Sequence, residues 1–332
     1  MKKKQKPLNI LVVRTSALGD VAMTIPAIYS VAMTYPMHTF HVLTTALCAQ
    51  LFVASPENVI VHPMKSKSLR VMLSYARSLK IDRVADLHNV IRSWVVDAYG
   101  WLCGKRVAML NKRRWERGAV TKEHYATTTS FSERYYQVFA NLELPCRIFF
   151  DKIPINALPP MPADIPTKHG KWIGIAPFAR YKNKIYPLEK MLEVIRTLAR
   201  HTDVDVFLFG SKKEAELLKN WCGENPRQHC VAGFFPLGQE LSLISRLDVM
   251  LTMDSSNMHI ASLVGTRVVS IWGGTTPACG FLGWRQDVAD CILAGCTCQP
   301  CTIAGSDRCR HNDFHCLTSI SPDTIVDKIT IT

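Results

Sequence analysis

Asp254, Ser255, Ser256 and His259 form the set of residues in this chain best suited to holding an anion. The apolar runs Val249–Met253 and Val268–Trp272 on either side read as buried parallel strands. Between them a helical pattern runs from Ser255 to Val264, with Asp254 at the expected N-cap and Gly265 at the expected C-cap. The two serines would place backbone N–H groups and hydroxyls at a helix N-terminus, at the carboxyl end of a strand. Open α/β sheets bind ligands there, and a phosphate or diphosphate is the natural guest. His259, one turn in, can point the same way. The competing reading is plain capping by Asp254, with His259 as a packing residue.

Two more segments stand at equivalent places. Arg14-Thr15-Ser16-Ala17-Leu18-Gly19-Asp20 follows an apolar strand pattern and enters a helix. Gly19 allows a tight turn or close ligand approach. Asp20 is either a general base or a simple N-cap, and the spacing is not that of a dinucleotide fingerprint. Pro177–Pro187 follows the first strand of the second half and carries Arg180, Lys182 and Lys184. These cations could neutralise a diphosphate, or they could be solvated loop lysines.

The elements that must position these residues alternate strand and helix. Strand patterns fall at 9–14, 40–44, 59–61, 83–87 and 106–110, with helical stretches at 69–80 and 91–103. The helix after Asp20 has an apolar face of Val21, Ile25, Ile28 and Ala32, and Pro26 should kink it or delay its start. Five prolines between 147 and 170 mark a linker. A second series follows, with strands at 171–176 and 204–209 and helices at 187–200, 212–221 and 237–246. The expected fold is α/β, two Rossmann-like domains facing across a cleft, with domains at 1–160 and 161–332.

The chain has 332 residues, 48% hydrophobic and 20% charged, and a formal net charge of +13. That charge implies an acidic partner. Basic residues cluster at Lys2–Lys4, Lys65–Arg70, Lys105–Arg106 and Lys112–Arg117. No helix-turn-helix, RRM or KH signature accompanies them, so no nucleic-acid partner is expected. No run is long and apolar enough to span a bilayer, and Arg14 ends the first apolar run too soon for a signal peptide. A cytoplasmic protein is expected. Seven of the twelve cysteines follow residue 278. Cys298-x2-Cys301-x7-Cys309-x6-Cys316 suits a structural zinc site, with Cys296, His311 and His315 as alternative ligands. Two disulfides or reduced packing thiols are the other readings.

Together, residues 10–28 (ILVVRTSALGDVAMTIPAI), 184–187 (KIYP), 209–214 (FGSKKE) and 252–273 (TMDSSNMHIASLVGTRVVSIWG) resemble the ADP-heptose:lipopolysaccharide heptosyltransferases of glycosyltransferase family 9, which have the GT-B fold. The likeness spans about residues 8 to 285. It implies an inverting, metal-independent glycosyltransferase that moves a heptose from ADP-heptose to an anionic, lipid-linked lipopolysaccharide inner-core saccharide. No cofactor is required. Asp20 matches the catalytic carboxylate, with Thr15, Ser16 and Gly19 of its turn on the acceptor side. Lys184 matches the lysine that contacts donor phosphates, with Tyr186 standing where the family has tryptophan. Glu214 matches a ribose-contacting glutamate, Glu216 being the competing choice. Asp254, Ser255, Ser256 and His259 match the nucleotide-sugar segment, Asp254 ordering it. A different nucleotide sugar, or a non-catalytic binding role, is the alternative. The acceptor implies peripheral association with the inner face of the inner membrane, where Lys65–Arg70 and Lys112–Arg117 would meet acceptor phosphates or lipid headgroups. Of the tryptophans, Trp94 and Trp101 are expected to be buried, while Trp115 is free to serve an interface. The cysteine cluster is a departure from the resemblance.

Overall fold

In the computed structural model, which describes residues 6–123 and 127–330, the chain divides into two compact units. The first comprises Met1–Lys112 and Phe131–Asp151, the second Arg113–Ser130 and Lys152–Thr332. Composition places the boundary at 160/161. In the structure Ile153 already donates its N–H to Leu263 O at 2.7 Å, so the chain packs with the second unit from Lys152 onward.

The first unit runs β1 (Asn9–Val13), α1 (Leu18–Thr34), β2 (Thr39–Thr45), α2 (Ala46–Ala49), β3 (Val59–Met64), α3 (Leu69–Ser78), β4 (Arg83–Asp86), α4 (Ile91–Leu102) and β5 (Arg106–Met109). Next comes α5 (Arg114–Glu123), which belongs to the second unit, and then α6 (Phe131–Asn141) back in the first. The five strands are parallel in the order β3-β2-β1-β4-β5, with Val13 level with Leu43 on one side and Asp86 on the other. The inner strands β1, β2 and β4 are buried on both faces, as a parallel sheet demands, while the edge strands β3 and β5 are partly exposed. α1 passes through Pro26 without ending and starts at Leu18, neither delayed nor broken. It is buried along its whole middle, from Val21 to Ala32, and that packing outweighs the roughly 3 kcal/mol of an internal proline. Asp20 is therefore not the N-cap; Ala17 is, and Asp20 sits in the first turn.

The second unit continues β6 (Lys171–Ala176), α7 (Leu188–Leu198), β7 (Val204–Leu208), α8 (Ala215–Cys222), β8 (Gln228–Cys230), α9 (Leu237–Ile244), β9 (Val249–Met253), α10 (Ser256–Leu263), β10 (Arg267–Ile271), β11 (Cys291–Ile292), α11 (His315–Thr318) and α12 (Pro322–Thr330). Its strands lie in the order β11-β10-β9-β6-β7-β8, again parallel.

Each sheet has one point where chain order reverses. In the first unit the chain moves outward from β1 to β3, returns, and continues from β4 on the other side. In the second it moves from β6 to β8 and returns to β9. Loops leaving two adjacent strands in opposite directions open a crevice between them, at β1/β4 and at β6/β9. Such crevices are where open α/β sheets take ligands.

Trp94 and Trp101 are not buried, contrary to the expectation from their size. α4 turns Ser93, Val96, Asp97 and Gly100 inward and leaves both tryptophans exposed.

Candidate active site

At the β1/β4 crevice the turn after β1 brings Thr15, Ser16, Gly19 and Asp20 together. Arg14, nearly fully buried, organises it. Its guanidinium binds Leu87 O at 2.6 Å and Asp20 Oδ2 at 2.6 Å. Asp20 Oδ2 also accepts the Ala17 N–H at 3.1 Å, so both bonds fall on one oxygen, and Oδ1 takes part in neither. The side chain keeps 28% of its surface in solvent. An oriented, accessible carboxylate results, and orientation and access are what a general base requires.

Across the crevice, His88 follows β4, and its Nδ1 lies 3.1 Å from Thr15 Oγ1. Burial, and then the nearby Arg14 charge, push the imidazole down to about 3. It is neutral at any physiological pH. Asp86 Oδ1 fixes this loop by accepting the His88 and Asn89 N–H groups, each at 2.8 Å, while Oδ2 accepts the Ser93 hydroxyl at 2.6 Å. Arg14, Asp86 and His88 were missed from the sequence. The same positional rule that singled out Asp20, a polar residue just past a strand's carboxyl end, points to His88 as well.

The second unit repeats the plan at β6/β9. Lys184, after β6, and Asp254, after β9, meet as a buried ion pair at 2.7 Å. Asp254 Oδ2 also accepts the Thr275 hydroxyl at 2.6 Å, and Lys184 Nζ reaches Ala304 O at 3.4 Å. Asp254 is thus not the helix cap expected of it. Ser255 is the N-cap of α10, and its hydroxyl lies 3.1 Å from Thr252 Oγ1. Asp254 is drawn off the helix because a buried carboxylate gains more from a charged partner than from an amide. Ser256 opens α10, and His259 is buried one turn in. Glu214 follows β7, the strand beside β6. Its Oε2 accepts the Ser211 N–H at 2.6 Å, which closes a turn, while Glu216 is exposed on α8. Tyr186 is fully buried and donates to Ile320 O at 2.8 Å, so it fills a core position.

The Lys184 turn is clamped from the tail. Asn183 O accepts the Gly274 N–H at 2.7 Å, and Asn183 exchanges bonds with Ser306 at 2.8 and 3.1 Å. Gly305 passes so close that an added Cβ would come within 2.7 Å of Lys184 Cδ. Behind the clamp is a cavity of about 170 Å³ lined by Cys296, Cys298, Cys301, Cys309 and Cys316. All twelve cysteines are free thiols, so of the three readings of the tail the one with two disulfides is not formed. Burial first, then the neighbouring cysteines, push Cys316 up to about 12. Among the described residues no three His, Cys, Asp or Glu side chains stand close enough to hold a metal as placed.

The family model described as glycosyltransferase family 9 (heptosyltransferase) matches residues 77–307. The chain belongs to glycosyltransferase family 9. It is 25% identical over 306 residues to lipooligosaccharide heptosyltransferase 2 of Haemophilus influenzae, covering 81% of this chain and 84% of that one. E. coli ADP-heptose LPS heptosyltransferase II superposes with a TM-score of 0.72 at 20% identity over 97% of both chains. E. coli heptosyltransferase WaaC with ADP gives 0.67 at 16% identity over 97% of this chain and all of that one. The fold of this family 9 member is therefore the GT-B fold expected.

Beneath the His88 loop, Asp97 is fully buried, and burial together with Asp86 pushes its carboxyl up to about 8. Its folded pKa lies above the unfolded one, so the folded protein binds the extra proton. Stability then falls as pH rises from about 4 to about 8, by up to about 1.4 kcal/mol per unit. Asp97→Asn should remove that slope and be the more stable protein at pH 7.5. Urea unfolding from pH 5 to 8 measures it, and parallel curves for the two proteins would contradict it.

Proposed function

We propose that this protein transfers a heptose from ADP-heptose to a lipopolysaccharide inner-core saccharide, with inversion at the anomeric carbon. The observation that carries the reading is the Lys184–Asp254 pair set across the β6/β9 crevice beside the N-terminus of α10. It holds a cation ready at the place where an open sheet takes phosphates, next to backbone N–H groups that bind anions. Family membership and the named activities of the relatives support the choice of sugar and acceptor.

In this reading the donor's diphosphate lies against Lys184 and the Ser255 and Ser256 amides, with His259 behind them and Glu214 at the ribose. Asp254 holds the ammonium in position. The acceptor hydroxyl sits at Thr15, Ser16 and Gly19, where Asp20 takes its proton as the oxygen attacks the anomeric carbon. The bond from that carbon to the β-phosphate oxygen breaks, and ADP leaves. Arg14 keeps Asp20 aimed. Lys184 and the helix N-terminus stabilise the charge that builds on the leaving diphosphate, and no metal is needed for that step. The protein works at the cytoplasmic face of the inner membrane on a lipid-anchored acceptor. Among the described residues no helix is long and apolar enough to cross a membrane.

Asp20→Asn should lower kcat by about 10²–10⁴-fold while ADP-heptose still raises the melting temperature as it does for the parent. Turnover within a few-fold of the parent would remove Asp20 as the base. A UDP-sugar stabilising the protein where ADP-heptose does not would replace the donor.

A second reading concerns the tail. Five thiols around one cavity favour a structural zinc on Cys298, Cys301, Cys309 and Cys316, which would hold the clamp on Lys184. Binding would deprotonate the thiols and draw them together. Elemental analysis of protein purified without added metal should then find about one zinc per chain, lost with a fall in melting temperature under strong chelation. Metal-free protein with an unchanged melting temperature would leave the thiols as packing groups.

A further inference from the structure

α4 has two faces that both look like interiors. Its inward arc packs Val96 against Met72 and Ala76 of α3. Its outward arc carries Ile91, Trp94, Trp101 and Leu102, which are 78%, 46%, 56% and 87% exposed. At about 100° per residue these four fall within roughly 100° of helix surface, opposite the buried residues. A helix of a soluble protein normally presents polar groups there.

The surroundings are mostly basic, with Arg83 and Arg106 paired to the exposed Glu143. Between Lys65 and Arg106 the sequence has nine Lys and Arg and three Asp. Asp82 accepts the Asn9 N–H at 2.9 Å, Asp86 is taken by the His88 loop, and Asp97 is buried. Neither α3 nor α4 therefore exposes a carboxylate. Lys65, Lys67, Arg70 and Arg92 are all exposed, and Arg77 lies over Tyr99 of α4 at 5.9 Å. The apolar stripe also begins at the candidate acceptor turn. α4 starts three residues after His88, and Trp94 Nε1 donates to Asn89 Oδ1 at 2.8 Å. Trp101 and Leu102 lie about 15 Å from Ile91 along the helix axis.

We propose that the outward face of α4 docks the protein on an anionic bilayer, the helix lying in the interface plane with its first turn beside the acceptor turn. Tryptophans and aliphatic side chains enter the headgroup boundary, and the lysines and arginines around them meet anionic headgroups. An acidic protein partner would want paired charges across a dry patch, whereas a basic rim around an exposed Trp, Ile and Leu stripe suits a lipid surface. A lipid-anchored acceptor would then be offered at the rim of the same face. This rests on the lipid-linked acceptor proposed above.

Vesicle sedimentation of the full chain tests it, with phosphatidylcholine alone and with about a third phosphatidylglycerol. The parent should bind the anionic vesicles and leave the neutral ones largely alone. Ile91→Ser/Trp101→Ser/Leu102→Ser should lose at least about tenfold in affinity while turning over a lipid-free acceptor saccharide normally. Lys65→Gln/Lys67→Gln/Arg70→Gln should lose up to about fivefold per removed charge. Binding by the serine variant equal to the parent's would overturn the proposal. So would equal parental binding to both vesicles, or a parental dimer without vesicles that the serine variant abolishes. A protein inactive on the lipid-free acceptor that still docks through α4 would reject the transfer reading and keep the docking face.

Discussion

A lysine and an aspartate meeting out of water, Lys184 with Asp254, is the contact around which the second unit's crevice is built. Each residue comes from a loop on a different strand, β6 and β9, so the pair ties the two sides of the crevice together. Removing one partner would strand a buried charge, at a cost of about 3–5 kcal/mol. The residues around it are arranged to keep it whole. Thr275 supplies Asp254 with a hydroxyl, the Ala304 carbonyl receives the ammonium, and Asn183 locks the lysine's turn to the tail. Holding the cation in advance means that little reorganisation is required when negative charge arrives beside it. The cysteine-lined cavity lies at the back of that clamp.

The first unit solves the opposite problem with the same topology. At its crevice a buried arginine orients a carboxylate. Arg14 is anchored to the carbonyl of Leu87 beyond β4, so the carboxylate it holds is referenced to both sides of the reversal point. Burial first, and then the same arginine, hold the His88 imidazole well below the usual histidine range. Two parallel sheets with one reversal each thus present an oriented carboxylate in one unit and a lysine beside a helix N-terminus in the other. These are the two kinds of group that glycosyl transfer from a nucleotide sugar needs.

Much of this was legible in the sequence where burial writes a continuous pattern. The run from Val249 to Trp272 reads directly as strand, helix and strand, because a parallel strand covered on both faces must be apolar throughout. Caps were less legible. Asp20 and Asp254 both resemble N-caps by position, yet Ala17 and Ser255 hold those places: Asp20 sits at the third helical position and reaches back to the Ala17 N–H, while Asp254 turns to Lys184. Partners distant in sequence, such as Arg14 with Leu87 or Asn183 with Ser306, leave no local trace. The excursion at 113–130, which packs with the second unit, leaves none either. Trp94 and Trp101 misled for a different reason: large aromatics are usually buried, and periodicity alone does not say which face of α4 meets the core.

The most direct measurement is a crystal structure of the protein with ADP bound. The account predicts diphosphate oxygens about 3 Å from Lys184 Nζ and from the backbone N–H groups of Ser255 and Ser256, with the nucleotide on the second unit. A nucleotide bound away from β6 and β9, with the Lys184–Asp254 pair untouched by phosphate, would contradict it.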